Sequence, residues 1–216
     1  MNAVAVITDI HANLPAMRAA LRRVDELGIE RVYCGGDLVG YGPHPNEVCA
    51  LIQERGIPTI YGNYDYAIAR DLEDCGCAYV TPRDRELGQR SVIWTLEHTD
   101  QHSKDFMREL PFDLRIDVGE TSVHLVHGSP RKVNEYLLED KRWDDEYGGV
   151  RFVNCGSVGK PKDGDPRGAF AVLDLDDAGR VHAWIERVAY DVEAVAQEVA
   201  AAGLPTEYAD KLLAAA

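Results

Sequence analysis

The chain has 216 residues, enough for one ordinary globular domain with a full apolar core. Its formal charge of −14 argues against a general nucleic-acid binder or a protein of anionic membrane surfaces, since both need basic surface. No stretch approaches the roughly 18 apolar residues of a membrane span. No basic, cleavable leader precedes the first strand, and five cysteines without framework spacing point to a reduced, cytoplasmic protein.

In chain order, an apolar strand at 3–8 leads to a helix at 14–27, capped by Asn13, opened by Pro15 and closed by Gly28. The strand "RVYC" runs into "GGDLVGYGPHP", too rich in glycine and proline for regular structure. Pro45 opens a helix to Arg55, which Gly56 stops, and the strand "IPTIY" runs into "GNYD". This βαβαβ pattern implies a parallel sheet with right-handed crossovers. Helical signals fill 64–109, most clearly "LGQRSVIWTLEH". "FDLRIDV" and "TSVHLVH" read as a β-hairpin, and "VRFVN", "GAFAVLDLD" and "RVHAWIERV" as three further strands. Helices rich in alanine close the chain from about 191. Parallel units followed by antiparallel strands suggest two packed sheets flanked by helices, with no interdomain linker.

Chemistry-bearing residues fall at the strand ends. Asp9 and His11 follow the first strand, Asp37 the second inside "GGD", and Asn63 the third inside "GN". Successive loops of a parallel sheet gather at its carboxyl edge, where ligands bind. The intervals match: 24 residues lie between His11 and Gly36, and 24 between Asp37 and Gly62. His127 ends a later strand and is a plausible neighbour. Singly, Asp9 reads as a cap, His11 as a core histidine, and Asp37 and Asn63 as turn formers. Together they are metal-binding types at equivalent strand ends, beside glycines that let the backbone approach an ion.

"DIH", "GGD" and "GN" at these spacings resemble the calcineurin-like metallophosphoesterase superfamily. "GDLVGYGPHPNE", "LVHGSP" and "NCGSVGKPKDGDPR" resemble its small bacterial phosphodiesterase-type members, and the likeness runs from residue 4 to about 190. The resemblance implies a four-layer αββα sandwich of two mixed sheets, an α/β fold (α+β by some schemes), as a single domain over 1–216 with the helices at 191–215 appended. It implies two divalent transition-metal ions, manganese first, with iron, zinc or nickel as alternatives. Asp9 and His11 would bind one ion, Asn63 and His127 the other, and Asp37 would bridge them. Ions about 3.5–4 Å apart would lower the pKa of a shared water from about 15.7 towards about 7, so that hydroxide attacks phosphorus. Asp37, Asn63 and Asp65 are then the candidate catalytic residues, and Arg131, Asn154 and Arg167 the candidate substrate-binding ones. Ser157 and Lys160 lie in the same loops, although Lys160 and Arg167 read better as a solvated turn, "KPKDGDPR".

Two departures stand out. Many superfamily members carry a leaving-group His after "GN". Here Tyr64 follows, a phenol of ordinary pKa about 10, better suited to packing than to acid catalysis at neutral pH. The family's Gly-His-x-His loop after "VHG" also has no counterpart in "SPRKVNEYLLEDKRWDDEYGG". Either this is a real deletion, or a segment near Lys141–Trp143 is passed over. Removing an inner strand would leave unpaired backbone groups at about 1–3 kcal/mol each, which favours the second explanation. His44 is the substitute ligand that the sequence offers. Cys75 and Cys77 form a C-x-C with no second pair to complete a zinc site.

The resulting expectation is a hydrolase of phosphodiesters or nucleotide anhydrides, acting on a small phosphorylated substrate such as a nucleotide. It has no membrane partner, and homo-oligomers stay open. The rival is a catalytically weak scaffold on the same fold, as in the retromer's phosphoesterase-like subunit. An apolar patch near the C-terminal helices would favour that rival. A P-loop or dinucleotide-binding regulator is disfavoured by the lack of either glycine motif.

Overall fold

The computed structural model describes residues 3–135, 150–176 and 178–216. Strand β1 (Val4–Ile7) is buried along its whole length, as an unbroken apolar run in the middle of a covered sheet must be. Side chains alternate along it: Ala5 and Ile7 face the main helical core, while Val4 and Val6 face a second core under the other sheet. The chain continues through α1 (Leu14–Glu26), β2 (Arg31–Cys34), α2 (Pro45–Glu54), α3 (Asn63–Ala69), α4 (Pro82–His98) and α5 (Gln101–Arg108). It then forms β3 (Asp113–Val118), β4 (Thr121–Val126), β5 (Gly168–Leu175), β6 (Val181–Val188), α6 (Val192–Ala201) and α7 (Thr206–Ala214).

The first sheet has the order β2-β1-β5-β6 and is mixed. β1 runs parallel to β2 and antiparallel to β5, and β6 is antiparallel to β5. The second, β3-β4, is the expected hairpin, turned by Gly119 and Glu120 between the paired residues Val118 and Thr121. Ile116, Val118 and Leu125 of the hairpin join Val4, Val6 and Leu173 of the first sheet in the core between the sheets. On the other face of the first sheet, α1, α2 and α3 pack around Phe170 and Val172. A third cluster joins Leu87 of α4 to Val195, Val199, Tyr208 and Leu212 of the C-terminal helices. The architecture is therefore α/β, with two packed sheets flanked by helices.

Two expected strands differ. "IPTIY" is reduced to a single parallel bridge, Thr59 to Cys34, flanked by Cys34 N–H to Pro58 O and Ile60 N–H to Cys34 O bonds. It still runs alongside β2 and delivers Asn63 to the same edge. "VRFVN" forms no strand, and Val150 and Val153 are exposed. An alternating segment becomes a strand only when a neighbour pairs with it, and among the described residues none does. The stretch where the Gly-His-x-His loop was sought falls largely on 136–149, outside the described residues.

Phe170 is fully buried where β5 meets the helical layer. Phe170→Ala is expected to lower the unfolding free energy by about 3–5 kcal/mol. Urea denaturation would show this as a lower midpoint at unchanged slope.

Candidate metal centre

The loops after β1 and β2 stay paired beyond the strand ends. Gly35 N–H donates to Ile7 O at 2.7 Å, Asp9 N–H to Gly36 O at 3.0 Å, His11 N–H to Asp37 O at 2.9 Å, and Ala12 N–H to Leu38 O at 2.7 Å. Asp9, His11, Ala12 and Asp37 all hold φ near +51 to +52°, the left-handed region that non-glycine residues seldom occupy. Such strain persists only where surrounding structure enforces it, and it concentrates at functional sites. The third loop must approach closely as well. A Cβ on Gly62 would lie 2.1 Å from Asp37 Oδ1, and one on Gly36 would lie 2.4 Å from the Gly62 nitrogen.

This bracing brings four predicted ligands together. His11 Nε2 lies 3.5 Å from Asp9 Oδ1 and 3.8 Å from Asp37 Oδ2, and His127 Nε2 lies 3.6 Å from Asp37 Oδ2. Ligand atoms of Asp9, Asp37 and His127 fall within 4.8 Å of one another. The other imidazole nitrogens face backbone carbonyls: His127 Nδ1 is 2.8 Å from Gly35 O, and His11 Nδ1 is 3.3 Å from Val39 O. A proton on each Nδ1 leaves the Nε2 lone pairs directed at the carboxylates, the arrangement of metal-binding histidines. Mixed carboxylate and imidazole donors suit a divalent transition metal. Asn63 is buried, and its Nδ2 donates to Cys77 Sγ at 3.1 Å, so Oδ1 is the atom left to meet a cation.

Asp65 is wholly buried, and both its oxygens accept from backbone amides: Oδ1 from Leu38 at 2.8 Å and Oδ2 from Gly62 at 2.9 Å. It clamps the second loop to the third. Tyr64 N–H donates to Asp37 Oδ1 at 2.9 Å, which leaves Oδ2 for the imidazoles. Burial raises the Asp65 carboxyl to about 7, helped by the Asp37 charge. Burial also pushes Asp9 up, but the His11 and His127 side chains and the Thr8 hydroxyl outweigh it and hold Asp9 at about 2. His127 is pulled down by burial and raised more strongly by Asp37 and Asp9, so its net shift is upward from 6.5.

The remaining candidates have other partners. Arg131 pairs with Glu135 at 2.6 Å, Arg167 with Asp165 at 2.6 Å in the exposed turn, and the exposed Asn154 accepts from Gly156 N–H. His44 is turned to Glu198 of α6 at 2.9 Å, away from the ligand group. Tyr64 is packed, its ring against Tyr41 and His11 and its hydroxyl 3.4 Å from Ser91 Oγ. The Ser157 hydroxyl donates to Asp9 O at 3.1 Å. The sequence does not single out Tyr41, whose ring meets His11 edge-on at 4.9 Å. Nor does it place Lys160, which is only 7% exposed, with Nζ 4.8 Å from the Tyr41 ring centre. Nothing in the sequence hints at this, since Asp163 and Asp165 follow closely and suggest a solvated turn. A cleft of about 600 Å³ lies at the other end of the strands between Gly28–Tyr33 and Arg55–Pro58, remote from these groups.

Residues 2–178 match the model of the calcineurin-like phosphoesterase superfamily domain, and the chain belongs to that family. Metal-dependent phosphoester hydrolysis of small phosphorylated substrates is the family's general reaction. An uncharacterised protein of Methanocaldococcus jannaschii is 27% identical over 245 residues, covering 97% of this chain and 96% of its own length. That alignment is longer than this chain, so the relative carries residues with no counterpart here. A metallophosphoesterase from Sphaerobacter thermophilus superposes with a TM-score of 0.72, at 25% identity over 99% of both chains. A hypothetical protein from Pyrococcus horikoshii reaches 0.78, at 24% identity over 97% of both. Among the described residues no helix is long and apolar enough to cross a membrane.

Two predictions follow from these charges. A metal needs neutral imidazole, whereas the carboxylates favour protonated His127. Manganese(II) affinity measured by calorimetry is therefore expected to fall as pH drops through the raised His127 pKa, with proton uptake by the buffer on binding. Burial lowers Lys160 from 10.5 to about 7. Between those values the unfolded chain binds a proton that the folded chain does not, so stability rises with pH across that window. Lys160→Met should flatten that rise in a series of thermal melts.

Proposed function

We propose that the protein is a dinuclear metallophosphodiesterase, cleaving phosphodiester or nucleotide phosphoanhydride bonds in the cytoplasm with manganese as its working metal. The observation that carries this reading is the convergence of Asp9, His11, Asp37 and His127, with each imidazole held through Nδ1 and presenting Nε2. Bound divalent ions would supply Lewis acidity, neutralising charge on phosphoryl oxygens and acidifying a water nucleophile.

The chain's own residues do the rest. Asp37, whose Oδ2 faces both imidazoles, would be the carboxylate shared between two ions. Asn63 adds a neutral oxygen beside it, and Asp65 keeps the two loops in register without meeting the substrate. Arg131, Asn154 and Arg167 remain candidates for holding nonbridging phosphate oxygens. Arg131 and Arg167 would have to exchange acidic partners for phosphate to do so. With Tyr64 buried and its hydroxyl pushed well above 10 by burial, no proton donor follows "GN". Esters with good leaving groups, such as nucleotide anhydrides and aryl phosphodiesters, fit that site best.

The scaffold reading called for an apolar patch near the C-terminal helices. Among the described residues of α6 and α7, Leu213 is the exposed large apolar side chain, and the others turn inward. That distribution favours the enzyme. The test is hydrolysis of bis(p-nitrophenyl) phosphate by metal-stripped protein, with and without manganese(II). Turnover restored by manganese and reduced by about a hundredfold or more in Asp37→Asn is the expected result. No turnover at any manganese concentration would overturn the reading.

A further inference from the structure

The segment between α3 and α4 meets Asn63 through Cys77 and carries two thiols that the proposed chemistry leaves unused. Cys75 Sγ and Cys77 Sγ lie 2.7 Å apart. The turn that faces them together is held on both sides. Gly76, at φ +68°, donates its N–H to Asp74 Oδ1 at 2.8 Å and accepts from Asn134 Nδ2 at 3.1 Å. The positive φ favours glycine there, and a Cβ would lie 2.5 Å from Asn134 Nδ2 and displace the tip of that side chain. Cys75 is buried against the helical core, whereas Cys77 is half-buried and reachable. Cys77 Sγ is also the acceptor for the Asn63 amide.

We infer that Cys75 and Cys77 form a dithiol site for oxidation by a low-molecular-weight disulfide, and that its closure loosens the hold on Asn63. This rests on the reading of Asn63 as a cation ligand. In the first step the Cys77 thiolate attacks one sulfur of oxidised glutathione, making a mixed disulfide and expelling one glutathione thiolate, which takes up the proton Cys77 lost. Cys75 then attacks the Cys77 sulfur and expels the second glutathione. One intramolecular disulfide forms as one glutathione disulfide becomes two thiols, so electrons and protons balance. Cys77 is drawn towards Cys75 and no longer meets the Asn63 amide as a thiol. The Asn63 side chain loses its orienting partner, and metal affinity falls, as it does when groups behind a ligand are removed.

The test uses the full chain equilibrated across glutathione to glutathione-disulfide ratios, alkylated, and digested with trypsin. The peptide Asp71–Arg83 holds both cysteines and no other. It is expected to become lighter by two hydrogen atoms and resistant to alkylation as the ratio turns oxidising. A peptide that takes up two alkyl groups at every ratio would overturn the inference, as would one that keeps glutathione on Cys77 without closing. Manganese(II) binding to oxidised and reduced protein is then compared by calorimetry, with dissociation expected to weaken by about tenfold on oxidation. Closure with unchanged affinity would refute the link to Asn63. Cys75→Ser, which leaves the Cys77 thiol on Asn63, should bind manganese as the reduced protein does when no disulfide is present, and with oxidised glutathione should stop at the mixed disulfide on Cys77 without closing. Because the peptide reports closure without metal or turnover, an inactive but oxidisable protein would count against the phosphodiesterase reading and leave the dithiol standing.

Discussion

Three carboxylates crowd one end of the sheet, and the structure depends on how their repulsion is contained. Asp65 is fully buried and Asp37 nearly so, with Asp9 beside it. Buried like charges are costly unless each is hydrogen-bonded or paired. The three are handled differently. Asp65 is given to backbone amides and held partly protonated near neutrality. Asp37 spends one oxygen on the Tyr64 amide and turns the other to two imidazoles. Asp9 rests on Thr8 and His11. What remains is a cluster of carboxylate oxygens and imidazole nitrogens of the kind that suits a divalent cation.

The loops are stiff for the same reason. Left-handed backbone at Asp9, His11, Ala12 and Asp37 would relax in an isolated peptide. It is held by the ladder of amide bonds continuing past β1 and β2, and from the far side by Val158 N–H to Thr8 O and Gly159 N–H to Asp9 O. The C-terminal helices take part too. Tyr208 of α7 meets Tyr41 edge-on at 4.9 Å, and Tyr41 in turn meets His11. A helix pair that reads as an appendage in sequence thus helps fix the orientation of the His11 ring. Lys160 sits at the same junction without a carboxylate partner among the described residues, consistent with its depressed pKa.

The order of the motifs, the spacing between strand ends and the convergence of Asp9, His11, Asp37 and His127 were legible in the chain, because strand period and loop convergence are local rules that sequence obeys. The hairpin, Asn13 as a helix cap and the inward-facing residues of β1 were legible on the same grounds. The two strands that did not form depended on neighbours. "IPTIY" met β2 at one residue, and "VRFVN" met no partner among the described residues.

The sequence by itself pointed to the family, to a candidate set of metal-binding residue types, and to the path that brings Asp9, His11, Asp37, Asn63 and His127 to one edge. Tertiary structure alone decided which carboxylate faces imidazoles and which is consumed by amides, since Asp37 and Asp65 are equally acidic in the chain and differ only in what packs against them. It alone buried Lys160, turned His44 to Glu198, and set the Cys75–Cys77 turn against Asn63. Those outcomes come from long-range contacts between segments far apart in the chain, where burial and hydrogen-bond partners, rather than residue type, set what a side chain can do.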